Sequence, residues 1–496
     1  MLKDFSEYIK DFENTLKDVF HQRYDIHQFS KERGLPVVVL RDIMAKAPLS
    51  VAIPENYGGR GVKVNECLRM LSAASYESLP LSLTFGINIA LFLEPVAKYA
   101  NESVKGTIFK RFLEKQNMGG LMITEPDFGS DALGMQTYNE KVEDGYTIKG
   151  TKHWQGLTGM ADYWLITSRG KSANGNLNRD IDFFICDVSQ PNQQITVEEY
   201  YDNLGLYMIP YGKNKVDVQV PENYKLEPHS SGVKMMLDVL HRSRMQFPGM
   251  ALGFIKRMLD ESIKYCTERV VGQKKLIELD QVKYQISTIQ SSYTIASAMC
   301  YRSSTHSGID HDLANSGIEA NTMKAFVTDL MQDAAQTLTQ LSGSKGFKME
   351  NIGGRGIMDS RAFQIFEGSN EMLYTQITEM IFKLMKRKKE FNIYRFLKEF
   401  NLTTQSYAYF KDYIDFSVDI DMKQRKMIDL GKVFSRIISI NFVLDMQDKG
   451  FRTDLITNCV ELLKLDVSNL INSFHSKNTV IQIEDYNENS QWYNFI

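Results

Sequence analysis

The hydrophobic pattern of this chain changes period twice, and that double change limits the available folds more than any single motif does. Up to about residue 117 apolar residues recur at helical spacing, as in Leu2, Phe5, Tyr8, Ile9 and Phe12, and again in Leu68, Leu71 and Ala74. From Gly119 the apolar runs shorten and are cut by turn residues. Residues 121–124 predict a strand stopped by Glu125-Pro126, and 141–148 a hairpin about Asp144-Gly145. Further strands are predicted at 163–167, 183–186 and 216–220, the last closed by Pro221. Helical spacing returns near Val233. Leu252, Ile255, Leu259, Ile263 and Cys266 form one amphipathic face, with Pro248 early in it, where it should kink the helix or mark its first turn. Long helices are then predicted at 282–303, 317–341 and 372–386, the last preceded by a glycine-rich link over 343–357.

The pattern predicts a mostly α chain with a central β domain. An N-terminal helical domain (1–117) precedes a β sandwich or barrel (118–230), a four-helix domain (231–388) and an additional helical domain (389–496). Within the last, 397–410 and 427–446 have helical spacing. The basic run from Lys383 to Lys389 reads as a solvated helix end.

The totals exclude several classes of function. A net charge of −3 over 496 residues gives no electrostatic footprint for nucleic acid. Cys67, Cys186, Cys266, Cys300 and Cys459 are scattered without a CxxC pair, and no HExxH spacing occurs. Neither a metal site nor a disulfide framework is predicted, which fits a reducing compartment. The N-terminus carries early acids and no signal-length apolar core, and no run approaches the roughly 20 apolar residues of a membrane span. A cytoplasmic chain without a membrane span is expected.

One stretch carries chemistry. In Ala362-Phe363-Gln364-Ile365-Phe366-Glu367-Gly368-Ser369-Asn370-Glu371 an apolar run delivers a carboxylate onto a Gly-Ser turn that opens an amphipathic stretch. Such a carboxylate can sit on an apolar wall beside free N–H groups at a helix start. Burial raises its basicity and suits it to take a proton from carbon. Taken alone, the same pattern also describes a solvated cap.

Five further motifs accompany it in a fixed order: Ile53-Pro54-Glu55-Asn56-Tyr57-Gly58-Gly59; Thr124-Glu125-Pro126-Asp127-Phe128-Gly129-Ser130-Asp131; Gly150-Thr151-Lys152-His153-Trp154; Tyr265-Cys266-Thr267-Glu268-Arg269; and Gln340-Leu341-Ser342-Gly343-Ser344-Lys345-Gly346-Phe347. With Phe366-Glu367-Gly368-Ser369-Asn370-Glu371 they make residues from about 35 to 385 resemble the acyl-CoA dehydrogenase family of flavoproteins.

The resemblance implies a non-covalent FAD between the β domain and the second helical domain. Met122, Ile123 and Thr124 would line the flavin ring and bond its polar edge. Gly129 and Ser130 would meet the cofactor's phosphate region or bound substrate, and Trp154 and Gly156 would lie by the flavin. Arg269 would reach the pyrophosphate of a neighbouring subunit's FAD, where a guanidinium fork can pair two oxygens. Gln340, Gly343 and Ser344 would contact the adenosine part of that FAD, so a homodimer or homotetramer is implied. Ser369 would complete the cofactor contacts, and Arg244 and Gly368 would serve the substrate side.

Glu367 would then take the α-proton of an acyl thioester, carried by CoA or an acyl carrier protein, while flavin N5 takes the β-hydride. The family holds the thioester oxygen with the backbone N–H of this glutamate and a ribityl hydroxyl. Electron-transferring flavoprotein is the implied acceptor. Some relatives carry the base just before the position of Arg244; that residue here is Ser243, which leaves Glu367. The alternatives are an oxygen-using acyl-CoA oxidase or flavin monooxygenase on the same fold, or a non-enzymatic assembly protein. Glu367 favours dehydrogenation, because monooxygenase relatives need no such base.

The chain departs from the family pattern in several places. Trp154-Gln155-Gly156 stands where Trp-Ile-Thr is usual, with Thr158 two residues later. Val270-Val271-Gly272-Gln273 replaces a Phe-Gly pair, Met358-Asp359 an Arg-Asp pair, and Ser344 the second glycine of a Gly-Gly pair. Together with the C-terminal extension these mark a divergent member.

Overall fold

The computed structural model describes residues 3–29, 33–476 and 482–495. Leu2, the first residue of the N-terminal helical pattern, lies outside them. Helix α1 (Phe5–Asp18) buries Ile9, Phe12 and Leu16 and is capped by the Asp4 carboxylate, which accepts the Ser6 N–H. It packs on α2 (Val64–Glu77), which is followed by α3, the helical run Leu79–Tyr99. Helix α4 (Glu102–Lys115) closes the N-terminal layer.

Helix α3 corrects one expectation. Its 21 residues, with a mean hydropathy of 1.5 over the most apolar window, are long and apolar enough to cross a membrane, yet 94% of that window is buried inside the chain. The run escapes notice in the sequence because Ser82, Thr84 and Asn88 interrupt it. Each is satisfied internally: Ser82 donates to the Leu71 carbonyl at 2.7 Å, Thr84 to Pro80 at 3.0 Å, and Asn88 both donates to Thr84 and accepts the Gly119 N–H. It is a core helix.

The β domain is a seven-stranded curled sheet. Strand β1 (Gly119–Met122) pairs in parallel with β4 (Tyr163–Gly170), with Gly119 opposite Tyr163 and Met122 opposite Ile166. Two glycines begin β1 because a Cβ on Gly119 would fall 2.4 Å from the Phe92 ring of α3 and one on Gly120 2.5 Å from Trp164. The Asp144-Gly145 hairpin forms as predicted between β2 (Tyr138–Val142) and β3 (Gly145–His153). Strand β5 (Asp182–Asp187) pairs with β4, and β7 (Gly212–Val220) lies between β3 and the edge strand β6 (Thr196–Tyr200). In β7, Val216, Val218 and Val220 face the core while Lys215, Asp217 and Gln219 face water, the period-2 pattern that made this strand readable.

The helices return as α5 (Gly232–Arg244), α6 (Phe247–Glu268), α7 (Asp280–His306), α8 (Gly317–Ser342), α9 (Ile352–Phe363) and α10 (Asn370–Lys388). Pro248 lies in the first turn of α6, as expected. Helix α9 begins at Ile352, inside what the sequence presents as a glycine-rich link. Its glycines serve close packing: a Cβ on Gly356 would lie 2.9 Å from the Phe254 ring, and the Asn351 side chain caps the start by accepting the Gly353 and Gly354 N–H groups. In the C-terminal extension, α11 (Gln424–Gln447) and α12 (Thr453–His475) pack on the outside of α7 and α10. The helix predicted over 397–410 stops at Lys398, because the Thr403 hydroxyl takes the Leu397 carbonyl at 2.6 Å. Only a short 3₁₀ turn, Tyr407–Phe410, follows in that span.

Candidate active site

The link from α9 to α10 is a loop built on an aromatic wedge. Phe363 and Phe366 have ring centroids 5.0 Å apart, and both face Phe247 at the start of α6. After this wedge the chain turns sharply: Glu367 has φ +51° and Gly368 φ +92°. A left-handed backbone at a non-glycine residue costs about 1–2 kcal/mol, so neighbouring groups must hold it. Arg244, at the end of α5, donates to the Glu367 carbonyl from Nε at 3.1 Å and Nη2 at 2.8 Å, and to Asn321 from Nη1 at 2.7 Å. Lys324, fully buried in α8, donates to the Gly368 carbonyl at 2.7 Å and to Asn370 Oδ1 at 3.0 Å. Ser369 caps α10 by accepting the Met372 N–H at 3.4 Å.

The Glu367 carboxylate is under-satisfied. The Ser243 hydroxyl donates to Oε1 at 2.8 Å, and buried Oε2 has no hydrogen-bond partner among the described residues. Burial pushes this carboxyl above its ordinary value, with Arg244, Ser243 and Lys324 pulling the other way. Burial likewise pushes the Lys324 ammonium down to about 7, against the attraction of Glu367. The Glu367 N–H meets no acceptor among the described residues. An ionisable oxygen and a free donor thus sit on one residue against an apolar wall.

On the β-domain side, Met122 is buried in β1 and its carbonyl accepts the Thr167 hydroxyl at 2.9 Å. The Ile123 carbonyl accepts from Lys152 Nζ at 3.0 Å, and that of Thr124 from the His153 N–H at 3.0 Å and Gln155 Nε2 at 3.2 Å. Trp154 stands out from this layer, 52% exposed, with φ +59° and its ring 4.5 Å from that of Tyr201. Gly129 and Ser130 are exposed, and a Cβ on Gly129 would meet nothing within 4 Å. Gly156 lies against α3, where a Cβ would fall 2.7 Å from Ile87. Thr158 is buried and committed elsewhere: it donates to the Gln155 carbonyl at 2.8 Å and accepts from Asn214 at 3.1 Å.

A second group gathers at the far ends of α6 and α8. Arg269, Gln340, Gly343 and Ser344 are all exposed. Lys345 lies 5.7 Å over the Tyr265 ring, and the Tyr265 carbonyl accepts the Arg269 N–H, so the two motifs share one face. The residues that depart from the family pattern after Arg269 form a small hairpin, Val270–Val271 with Lys274–Lys275, turning at Gly272 with φ +61°.

Several residues of this region were missed in the sequence. Glu125 and Lys152 both stand in quoted motifs, but only the fold pairs them, at 2.9 Å and nearly dry. Lys324 has a detectable signal: a lone lysine amid Met323, Ala325, Phe326 and Val327. Ser243 cannot itself act as a base, yet its hydroxyl is a donor to Glu367.

The chain matches the acyl-CoA dehydrogenase N-terminal domain over residues 6–116, the middle domain over 120–217 and the C-terminal domain over 230–382. It is 23% identical over 364 residues to the short-chain specific acyl-CoA dehydrogenase of Megasphaera elsdenii, covering 70% of this chain and 93% of that one. It is 24% identical over 351 residues to an acyl-CoA dehydrogenase of Bacillus subtilis (strain 168), covering 69% and 89%. Among solved structures, an acyl-CoA dehydrogenase complexed with FAD from Bacillus anthracis superposes with a TM-score of 0.75 at 17% identity, covering 95% of this chain and 88% of that one. With three consecutive domains matched in order, the chain belongs to the acyl-CoA dehydrogenase family of FAD-dependent oxidoreductases, enzymes of acyl-thioester dehydrogenation.

Proposed function

We propose that this enzyme removes the α-proton and the β-hydride of an acyl thioester, with Glu367 as the base. One observation carries this reading: among the described residues Glu367 leaves a buried oxygen without a donor and a backbone N–H without an acceptor. The α-hydrogen of a thioester is acidified by the adjacent carbonyl, and a donor on the carbonyl oxygen spreads the developing negative charge. The Glu367 N–H serves as that donor while Oε2 takes the proton. Arg244 and Lys324 grip the carbonyls of Glu367 and Gly368, which keeps donor and base aimed together. Phe247, Phe363 and Phe366 shield the loop from water, where a carboxylate is a stronger base.

The FAD of the family fits the residues present. Trp154 offers an exposed aromatic face, and the Gly129-Ser130 loop has open space where a larger residue would crowd a ligand. Met122, Ile123, Thr124, Gly129, Ser130, Trp154, Gly156 and Ser369 would hold the cofactor within one subunit, and bound FAD would supply the hydride acceptor. Arg269, Gln340, Gly343 and Ser344, exposed on one face, would contact the FAD of a second copy, which makes the enzyme a homodimer or homotetramer. Thr158, engaged by Gln155 and Asn214, does not stand in for the threonine of the usual Trp-Ile-Thr run. Electron-transferring flavoprotein is the proposed acceptor.

The test is anaerobic mixing of the FAD-loaded protein with acyl-CoA and acyl-carrier-protein thioesters, followed by flavin bleaching. A thioester should bleach the wild type, and Glu367→Gln should bind it yet bleach about 10²–10⁴-fold more slowly. Bleaching of the variant at the wild-type rate would remove Glu367 as the base. Oxygen uptake with substrate in air would favour the oxidase alternative.

A further inference from the structure

A buried chain of polar contacts joins the C-terminal extension to the catalytic loop. Helix α11 approaches α10 so closely at Gly431 that a Cβ there would fall 2.1 Å from the Tyr374 carbonyl oxygen, and the Thr378 hydroxyl donates to the Met427 carbonyl at 2.7 Å. Further along α11, buried Arg436 has its guanidinium 4.2 Å over the Phe326 ring of α8. Its Nε donates to Asp466 of α12 at 2.7 Å, and its Nη1 to the Tyr374 hydroxyl at 3.3 Å. From Tyr374 the contacts run inward. That hydroxyl donates to Asp329 Oδ2 at 2.7 Å. Asp329 Oδ1 accepts from Gln364 Nε2 and from Asn370 Nδ2, both at 2.7 Å. Asn370 Oδ1 accepts from Lys324, which holds the Gly368 carbonyl. Gln364 and Asn370 are the two ends of the catalytic loop, closed on each other by the Asn370 N–H to Gln364 carbonyl bond at 3.1 Å.

We propose that Arg436 is a positioning residue for the catalytic loop, and that the C-terminal extension, acting through Tyr374, Asp329, Asn370 and Lys324, holds Glu367 where it can abstract a proton. This rests on Glu367 being the base. Asp329 anchors both loop ends, but its hydrogen bonds come from two amides and a phenol, all neutral. A partly buried carboxylate compensated only by neutral donors is costly. Arg436 supplies the missing cation at one remove, and its bond to the phenol oxygen strengthens the phenol as a donor to Asp329. Without it, Asp329 turns to water, and Gln364 and Asn370 lose a common anchor. A loop that already carries a left-handed glutamate then relaxes, and Oε2 leaves its aim. The extension is in this view part of the catalytic apparatus, beyond any role in assembly.

The test uses the full-length, FAD-loaded protein with butyryl-, octanoyl- and palmitoyl-CoA, taking whichever bleaches the wild type fastest. Arg436→Met and Tyr374→Phe should each slow flavin reduction roughly ten- to a hundredfold at saturating thioester, as expected for a misplaced catalytic group, with FAD content and thioester affinity unchanged. The double variant should be no slower than the worse single one, since both break one chain, and Arg436→Lys should recover part of the rate. Losses that multiply in the double variant, or a wild-type rate in Tyr374→Phe, would overturn the proposal. If Arg436→Met does not fold, Tyr374→Phe, which removes a single hydroxyl, decides alone. A Glu367→Gln variant that is slow beside a Tyr374→Phe variant that is fast refutes the wiring only; a fast Glu367→Gln refutes the base assignment itself.

Discussion

Two glutamates, one buried and one half-buried with a buried carboxylate oxygen, each in a loop motif of this family, have opposite environments. Glu125 follows β1 and is only 4% exposed. Its Oε1 accepts from Lys152 Nζ at 2.9 Å and the Thr137 N–H at 3.0 Å, and its Oε2 accepts the Gln136 N–H at 2.6 Å. Burial alone would raise its carboxyl, but Lys152 and these hydrogen bonds outweigh burial and hold it below the ordinary range. Glu367 has two cations nearby, Arg244 and Lys324, yet their N–H groups go to the loop carbonyls and to Asn321 and Asn370, not to the carboxylate. Its carboxyl is held above the ordinary range by burial. A buried carboxylate with both oxygens engaged is a fastener. One with cations gripping its backbone and an oxygen without a donor among the described residues is left basic.

Replacing each glutamate by glutamine breaks the comparison most directly, and the largest effect is expected at Glu367. Glu367→Gln should cost about 10²–10⁴-fold in flavin reduction without lowering the urea midpoint. Glu125→Gln should do the reverse. It strands Lys152, whose ammonium burial already pushes down to about 8, and breaking one side of a buried pair costs about 3–5 kcal/mol. The sign with pH also differs. The folded carboxyl of Glu125 is depressed, so its stabilisation is present above the unfolded value of 4.5 and is lost as pH falls through the folded value. That of Glu367 is raised, so stability falls as pH rises from 4.5 through its folded value. Urea titrations of wild type and Glu125→Gln should therefore converge below pH 4.5. A rate loss without a stability loss in Glu125→Gln would dissolve the distinction.

Much of the fold is legible in the sequence because hydrophobic period is a local property. The alternation of Val216, Val218 and Val220 and the helical face from Leu252 to Cys266 need no distant partner. The errors arise where tertiary contact decides. Three interior glycines look like a flexible link until Phe254, Thr339 and the Gly346 carbonyl are found filling the space beside them. Helix α3 hides its length behind polar residues whose partners lie within the core. At the site, Glu367 is readable from its apolar approach and Gly-Ser turn. Ser243 and Lys324 reach the loop from elsewhere, 124 residues away along the chain in the case of Ser243, and no local pattern encodes that.

Lys324→Met sharpens the comparison at intermediate size. Lys324 is the nearest thing at this site to the Lys152 of the other, but it bonds Gly368 and Asn370 instead of the carboxylate. Its positive charge favours ionised Glu367, so its removal should raise the carboxyl further and move the acid limb of the flavin-reduction profile to higher pH. The Gly368 carbonyl also loses its donor, which should lower the plateau rate by roughly tenfold. An acid limb that stays in place while the plateau falls would mean that Lys324 acts on loop geometry alone.

Ser243→Ala should give the smallest effect. The hydroxyl is the one side-chain donor to the carboxylate among the described residues, 2.8 Å from Oε1. A hydrogen bond to the ionised form favours ionisation, so deleting it should raise the Glu367 carboxyl, already pushed up by burial, and move the acid limb upward. The loop should stay in place, because Arg244 and Lys324 hold its carbonyls independently of the serine. At pH well above the limb the carboxylate is ionised in both proteins, and the rates should agree within about tenfold, the scale of one hydrogen bond. Ser243→Thr, which keeps the hydroxyl, should restore the wild-type limb. An unshifted limb in Ser243→Ala would show that the serine contributes nothing to the charge on Glu367. The contrast with Glu125 would then rest on burial and the placement of cations, with no share for the lone donor.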